Sequence, residues 1–447
     1  MKKNMSEGNI LPLIVSFAIP ILFGNLFQQL YSVIDTIIVG RYISTNALAS
    51  VGSTGSISYL IIGFVFGLSS GFSIVISQEI GAKDQLGLKK ALANSIICIT
   101  VLGLIITIFS LYSLKSLLIV LKTPSIIFEG AYTYMSIILK GLPFILMYNF
   151  EAAILRALGD SKTPFYLLII SCFLNIVGDL LFVLVFKFEI KGVAYATVMS
   201  NIFVAFASLI YIYRKYPELR LTKNDFSIDF GMMKTLLSLA FPAALQNSVN
   251  AIGCMILQLQ INKLGEVAVA GYTIGVKFEG IFCALISAIA MTMITFSGQN
   301  YGANDFVRIK KGIKISLTIT ISWAIIAFVF IRLFDKNIVT LMVSKDETEV
   351  IQRACDYLFA TSIFYIPLAI GNIFNCTLQG MGKGYFTMIT SFQELATRSL
   401  GAVILPPLFG YIGACFSGSI SWLVSAIMVS IGYYILVDKK YDKNSTV

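Results

Sequence analysis

Apolar residues run through this chain in long blocks separated by short polar stretches. Read in order, the blocks give twelve spans, at about 11–39, 47–76, 90–114, 126–150, 164–186, 190–212, 234–261, 266–296, 312–334, 352–378, 384–409 and 411–436. A helix needs roughly 20 apolar residues to cross a bilayer, and the blocks meet that length. Spans 1, 2, 7 and 8 exceed it, which predicts tilting or kinking there. The pattern predicts an all-α polytopic membrane protein with twelve transmembrane helices.

Composition agrees. Hydrophobic residues make up 57% of the 447 and charged residues 13%, and the mean hydropathy is +0.85. A soluble domain carries about a quarter charged residues. The leading MKKNMSEGN runs directly into span 1, which is far longer than the apolar region of a cleavable signal peptide. A net charge of +10 raises the question of nucleic acid. The basic residues, however, sit between apolar blocks, where they set membrane topology. The seven cysteines are dispersed without a CxxC pair and read as small apolar fillers. With no histidine in the chain, HExxH zinc chemistry, histidine triads and histidine proton relays are excluded. Proton handling in the membrane then falls to carboxylates.

With the N-terminus and the even-numbered loops inside, about twenty Lys and Arg lie inside against about ten outside, so both termini are expected in the cytoplasm. The inner clusters are Lys83 with Lys89 and Lys90, Arg214 to Lys223, Arg308 to Lys314, and Lys439 to Lys443. The polar stretch 214–231 reads as a cytoplasmic linker between an N-lobe, 1–213, and a C-lobe, 232–447.

The two halves repeat. SFAIP ends at Pro20 and SLAFP at Pro242; SQEIGAKD begins at Ser77 and GQNYGAND at Gly298. LRALG ends at Gly159 and LQGMG at Gly382; GVAYATVMS begins at Gly192 and GACFSGSIS at Gly413. Four landmarks keep one order at nearly one offset. Six spans per half is an even number, so the lobes are parallel repeats about a pseudo-two-fold along the membrane normal, as in some transporters.

Span 1 carries Asp35 inside its apolar run. An ionised carboxylate at a helix centre costs roughly 2.5–3.5 kcal/mol on translocon scales, so it calls for a partner, a cation or a proton. Span 5 places Asn175 and Asp179 four apart on one helical face, and span 6 contributes Thr197. From a rise of about 1.5 Å per residue, Asp35, Asp179 and Thr197 share a depth on the order of 7–11 Å below the outer surface. At the matching offsets the second half has Leu257, Arg398, Ala402 and Gly418 for Asp35, Asn175, Asp179 and Thr197. The acidic site thus belongs to one half. Its hard oxygen donors suit Na⁺, and its carboxylates equally suit H⁺.

Other charges in the spans are Lys263, Lys277, Glu279, Glu394 and Arg398. Glu394 and Arg398 are spaced as an i,i+4 pair and read as structural. Glu151, near Arg156, reads as part of a solvated loop. Gln28, Gln29, Tyr148, Asn149, Gln246, Asn250, Asn372 and Asn375, with some of the Met and aromatic residues, are candidates to line a cavity for a greasy, weakly polar ligand.

SFAIP, VIDTIIVGRY, ALASVG, LRALGDSKTP, NIVGD, GVAYAT, GYTIGVKFEG and SGQNYGAND together resemble the multidrug and toxic compound extrusion (MATE) transporters, over about Leu11 to Val437. The resemblance implies two six-helix lobes, alternating access driven by Na⁺ or H⁺, and export of cationic or amphipathic drugs. It implies that Asp35, Asn175, Asp179 and Thr197 form an N-lobe cation site like that of the DinF-like branch, and that Pro20 is a bending point. The NorM-like branch has acidic residues in helices 7 and 10. Here those positions offer Asn250 and no acid beyond Asp356, so no second cation site of that kind is expected.

The expectation is therefore a cation-coupled multidrug antiporter in the plasma membrane, working as a monomer among lipids, with no organic cofactor, nucleic acid or enzymatic activity. The rivals are a flippase for lipid-linked saccharides from the wider superfamily, and a passive channel or scaffold.

Overall fold

Thirteen helices carry most of residues 4–439, the residues that the computed structural model describes. They are α1 (Ile10–Tyr42), α2 (Thr45–Ala82), α3 (Gln85–Val120), α4 (Ser125–Lys140), α5 (Leu142–Ala157), α6 (Lys162–Leu180) and α7 (Glu189–Lys215), followed by α8 (Phe230–Asn262), α9 (Glu266–Gly302), α10 (Phe306–Val339), α11 (Thr348–Ser362), α12 (Tyr365–Gly380) and α13 (Gly384–Tyr433). Among the described residues nine single helices are long and apolar enough to cross a membrane, and two bent pairs raise the number to 11. The last helix divides in turn at Gly410, whose φ of 61° and ψ of −141° break the helix just after Pro406 and Pro407. Hydropathy placed the end of span 11 and the start of span 12 on either side of this residue. Twelve spans result. The basic cluster that ends at Lys443 extends outside the described residues.

The bent pairs are α4 with α5, at 50°, and α11 with α12, at 51°. Hydropathy reads each pair as one span, because apolar content is continuous across the bend. Pro143 and Pro367 stand in the first turns of α5 and α12, where a missing N–H is tolerated and a continuous helix would be blocked.

The repeat has a backbone cause. Lys83 and Asn304 hold φ of 58° and 57°, and the following aspartates, Asp84 and Asp305, cap α3 and α10 by accepting backbone N–H bonds. Gly159 and Gly382, at φ of 82° and 77°, end the turns after α5 and α12 in the left-handed region that glycine adopts without strain. The segment after Gly159 is pinned through Asp160. Its carboxylate accepts from the Thr163 N–H at 3.0 Å, the Thr163 hydroxyl at 2.7 Å and the Tyr216 hydroxyl at 3.1 Å, and it faces Lys215 at 3.6 Å.

The chain forms two compact units that exchange over within α1 and α8: Phe23–Ser248 makes up one, and Met5–Leu22 with Val249 onward the other. The linker reading put the division at 214–231; instead, the first part of α8 stays with the first unit. Gly67 and Gly71 of α2 explain why, since a Cβ on Gly67 would lie 2.4 Å from the Ala243 carbonyl oxygen and one on Gly71 2.2 Å from Ala240 Cα. Stretch 214–231 is itself docked on α3. The buried Asn94 amide donates to the Ser227 carbonyl and accepts from the Asp229 N–H, and Lys90 pairs with Asp229. In the second unit Met5, which precedes α1, and Ile14, Phe17 and Ala18 of its early part join a core with Ile289, Met293, Phe296 and Ile309. Pro20 and Pro242 lie inside α1 and α8, a few residues before each changeover. Each leaves a carbonyl one turn back without its helical donor.

Candidate cation site

The four residues singled out in the first half come together in the first unit. Asn175 and Asp179, on one face of α6, are 1% and 0% exposed, while Asp35 on α1 and Thr197 on α7 are half-buried. The Asp35 and Asp179 carboxyls lie close enough to interact directly. Two ionised carboxylates offer only acceptors, so this pairing suits a shared proton or a cation between them. Each carboxyl keeps one oxygen, Oδ1, buried with no hydrogen-bond partner.

Asn175 organises the neighbours. In the amide orientation that satisfies both of its ends, its NH₂ donates to Asp179 Oδ2 at 3.0 Å and to Tyr31 Oη at 3.1 Å. Its oxygen accepts from the Thr197 backbone N–H and hydroxyl, each at 3.1 Å. Tyr31, one turn before Asp35 on α1, also lies beside Thr197. Tyr134 of α4 is 9% exposed and lies close enough to feel both carboxylates.

These two tyrosines were not among the residues expected from sequence. Tyr31 had a signal, its i,i+4 spacing to Asp35. Tyr134 had another, a tyrosine at the equivalent place in the second half, Tyr357.

Chemically, the pocket offers two orphaned carboxyl oxygens, an amide and hydroxyls, all hard donors. Buried polar atoms without partners are costly, so the arrangement fits occupation by a proton or by a small cation that contacts the orphaned oxygens. The donor set suits Na⁺ and H⁺ alike.

The second unit builds something different at the matching positions. Leu257 and Ala402 join one apolar cluster with Tyr272, Tyr357, Tyr411 and Cys415, and Gly418 faces Leu257. Arg398, at the Asn175 position, is 8% exposed and pairs with Glu394 at 2.6 Å, the structural pair read from spacing. It also donates to Cys254 Sγ at 3.2 Å. Glu279 accepts from the Tyr357 hydroxyl, while Lys277, two residues earlier, is exposed.

The Glu151 reading is corrected. That residue is 4% exposed and accepts a hydrogen bond from Ser208 of α7, because the bend at Gly141 turns α5 inward against α7. Of the candidate cavity residues, Gln28 and Gln29 are exposed on α1. Tyr148 and Asn149 donate to the Pro164 and Ile145 carbonyls. Gln246 lies in the first unit, and Asn250, Asn372 and Asn375 in the second, all half-buried.

The chain has relatives among known proteins. The MatE family model matches this chain twice, over residues 20–181 and 242–404, once in each half. The chain belongs to the MatE family. Among similar MatE relatives, the Probable multidrug resistance protein YoeA of Bacillus subtilis (strain 168) is 27% identical over 95% of this chain and 93% of its own length. The Probable multidrug resistance protein NorM of Thermotoga maritima is 27% identical over 87% and 83%. A crystal structure of MATE in the bent conformation superposes with a TM-score of 0.91 at 25% identity, covering 99% of this chain and 98% of that one. The family expected from the motifs is thus the family found.

Proposed function

We propose that this protein is a multidrug efflux antiporter that exports cationic or amphipathic compounds in exchange for Na⁺ or H⁺ across the plasma membrane, with both termini in the cytoplasm. The observation that carries the reading is the Asp35–Asp179 pair with its two orphaned oxygens beside the Asn175 network, at positions where the second unit has Leu257 and Ala402. A MatE relative and a second one are both named as multidrug resistance proteins, which supports the substrate class.

In this reading Asp35 and Asp179 carry the coupling ion, and Asn175 and Thr197 complete its shell. Occupation neutralises the pair and draws α1 toward α6, since Asp35 and Asp179 are their respective contributions. Pro20 lets the early part of α1 respond by bending. Gln28, Gln29, Tyr148, Asn149, Gln246, Asn250, Asn372 and Asn375 are assigned to substrate contact. The acidic site in the first unit alone favours the DinF-like branch over the NorM-like one, and a monomer suffices for the cycle.

The test is drug uptake by inside-out vesicles with Na⁺ and pH gradients imposed separately. Accumulation under one gradient, lost in D35N and D179N, is expected. Gradient-independent equilibration would indicate a passive channel, and full transport by both variants would remove the ion role.

A further inference from the structure

We infer that the second unit carries a binding site for the headgroup of an anionic phospholipid, at the point where α1 and α10 enter the membrane. A cavity of 360 Å³ opens between residues 8–10 and the side chains of Arg308, Lys311 and Lys314, with Ile315 at its apolar end. The three cations fall at i, i+3 and i+6 of α10, so one face of the helix presents them together. Across the cavity stands the start of α1, whose first-turn N–H groups and helix dipole favour an anion.

The cavity wall is fixed in place. Met5 is fully buried, and its N–H donates to Gln299 Oε1 at 2.8 Å while its carbonyl accepts from Asn300 at 3.1 Å. Arg308 then spends its guanidinium on the strap: Nε donates to the Met5 carbonyl at 3.1 Å, Nη1 to Gly8 at 2.8 Å and Nη2 to Glu7 at 2.9 Å. Gly8 turns the chain at φ of 81°, which a side chain would resist. With Arg308 committed and the Glu7 and Asp305 charges near it, the charge open to a ligand comes from Lys311 and Lys314, both exposed.

Position decides the class of anion. The basic stretch of α10 ends at Lys314, and the chain then runs apolar to Phe330 without another charge. On α1, Leu11 and Ile19 are 47% and 45% exposed, two turns apart on one face, and they lead away from the cavity into the depth of the span. A phosphate in the cavity therefore has an acyl-facing stripe directly beneath it. That is the geometry of a basic pocket for lipid headgroups rather than of a site for a soluble anion.

The experiment uses the full chain purified with an equal mixture of phosphatidylglycerol and phosphatidylcholine, read by native mass spectrometry. Wild type is expected to retain phosphatidylglycerol in preference. The K311Q/K314Q variant should bind it roughly 30-fold more weakly, given the electrostatic worth of each lysine near a membrane surface. K311R/K314R should keep the preference, and an unchanged melting temperature shows that each variant is folded. Equal retention of both lipids by wild type, or undiminished retention by the glutamine variant, overturns the inference. Displacement of the lipid by millimolar inorganic phosphate would also overturn it, by assigning the cavity to a soluble anion.

Discussion

Asp35 on α1 and Asp179 on α6 bring their carboxyls together and leave one buried oxygen each without a partner. Residues 144 positions apart in the chain thereby contribute to one acidic site. Asp35→Asn and Asp179→Asn are each expected to reduce drug resistance in an efflux-deficient host to that of the host without transporter. Membrane expression should persist, since an amide occupies the same volume. Immunoblotting of the membrane fraction alongside the resistance assay checks both halves of the prediction.

Asn175 joins Asp179, Tyr31 and Thr197. Asn175→Ala strands those buried partners, at about 1–3 kcal/mol for each group left unsatisfied. Thermal melting in detergent should show a clear drop, whereas Tyr31→Phe, which removes one hydroxyl, should cost less than half as much.

Gly71 touches the α8 backbone so closely that any side chain displaces it. Gly71→Val is expected to destabilise the first unit by about 1–3 kcal/mol or more through overpacking. The same change at Gly52, where nothing lies within 4 Å of a Cβ, should be neutral or slightly stabilising, since valine is the better helix former by a few tenths of a kcal/mol. Melting both variants side by side gives the comparison.

Arg398 and Glu394 form a buried pair. Arg398→Ala leaves the carboxylate uncompensated and should destabilise by about 3–5 kcal/mol, while the double change to Glu394→Gln and Arg398→Met should recover most of the loss. Failure of the double variant to recover would mean that the pair does more than hold the helices.

Asp160 lies between α5 and α6, outside the spans. Burial pushes its carboxyl up, but hydrogen bonds from Thr163 and Tyr216 and the charge of Lys215 outweigh burial and hold it below the usual carboxylate range. A group depressed on folding stabilises above its unfolded pKa, about 3.9 for Asp, and loses that contribution as pH falls through the folded value. Asp160→Asn should therefore melt below wild type at pH 7, and the gap should close as pH drops beneath about 4. A gap that widens in acid would contradict this.

The twelve spans and the family were legible because hydropathy and the repeat are carried by many residues at once. The acidic pocket was legible because Asp35, Asn175 and Asp179 stand out from an apolar background, and Asp35, Asp179 and Thr197 share a depth. Glu151 was misread, since a carboxylate beside Arg156 at a span end looks solvated until the bend at Gly141 is known. Tyr134 escaped notice because its one signal, the tyrosine repeated at 357, is easily lost among 21 tyrosines. The exchange within α1 and α8 was illegible for a deeper reason. It depends on close approach at Gly67 and Gly71, and distant contacts leave no periodicity in the sequence.

The seat of Met5 has a consequence for synthesis. Its partners Gln299, Asn300 and Arg308 are about 300 residues downstream, so this segment leaves the ribosome well before the residues that seat it. At a translation rate of about 5–20 residues per second, it waits roughly 15–60 s. During that interval the early turns of α1 must be held by lipid, by the insertion machinery or by contacts that are later given up, and slow closure of this very long loop is expected to time the completion of the second unit.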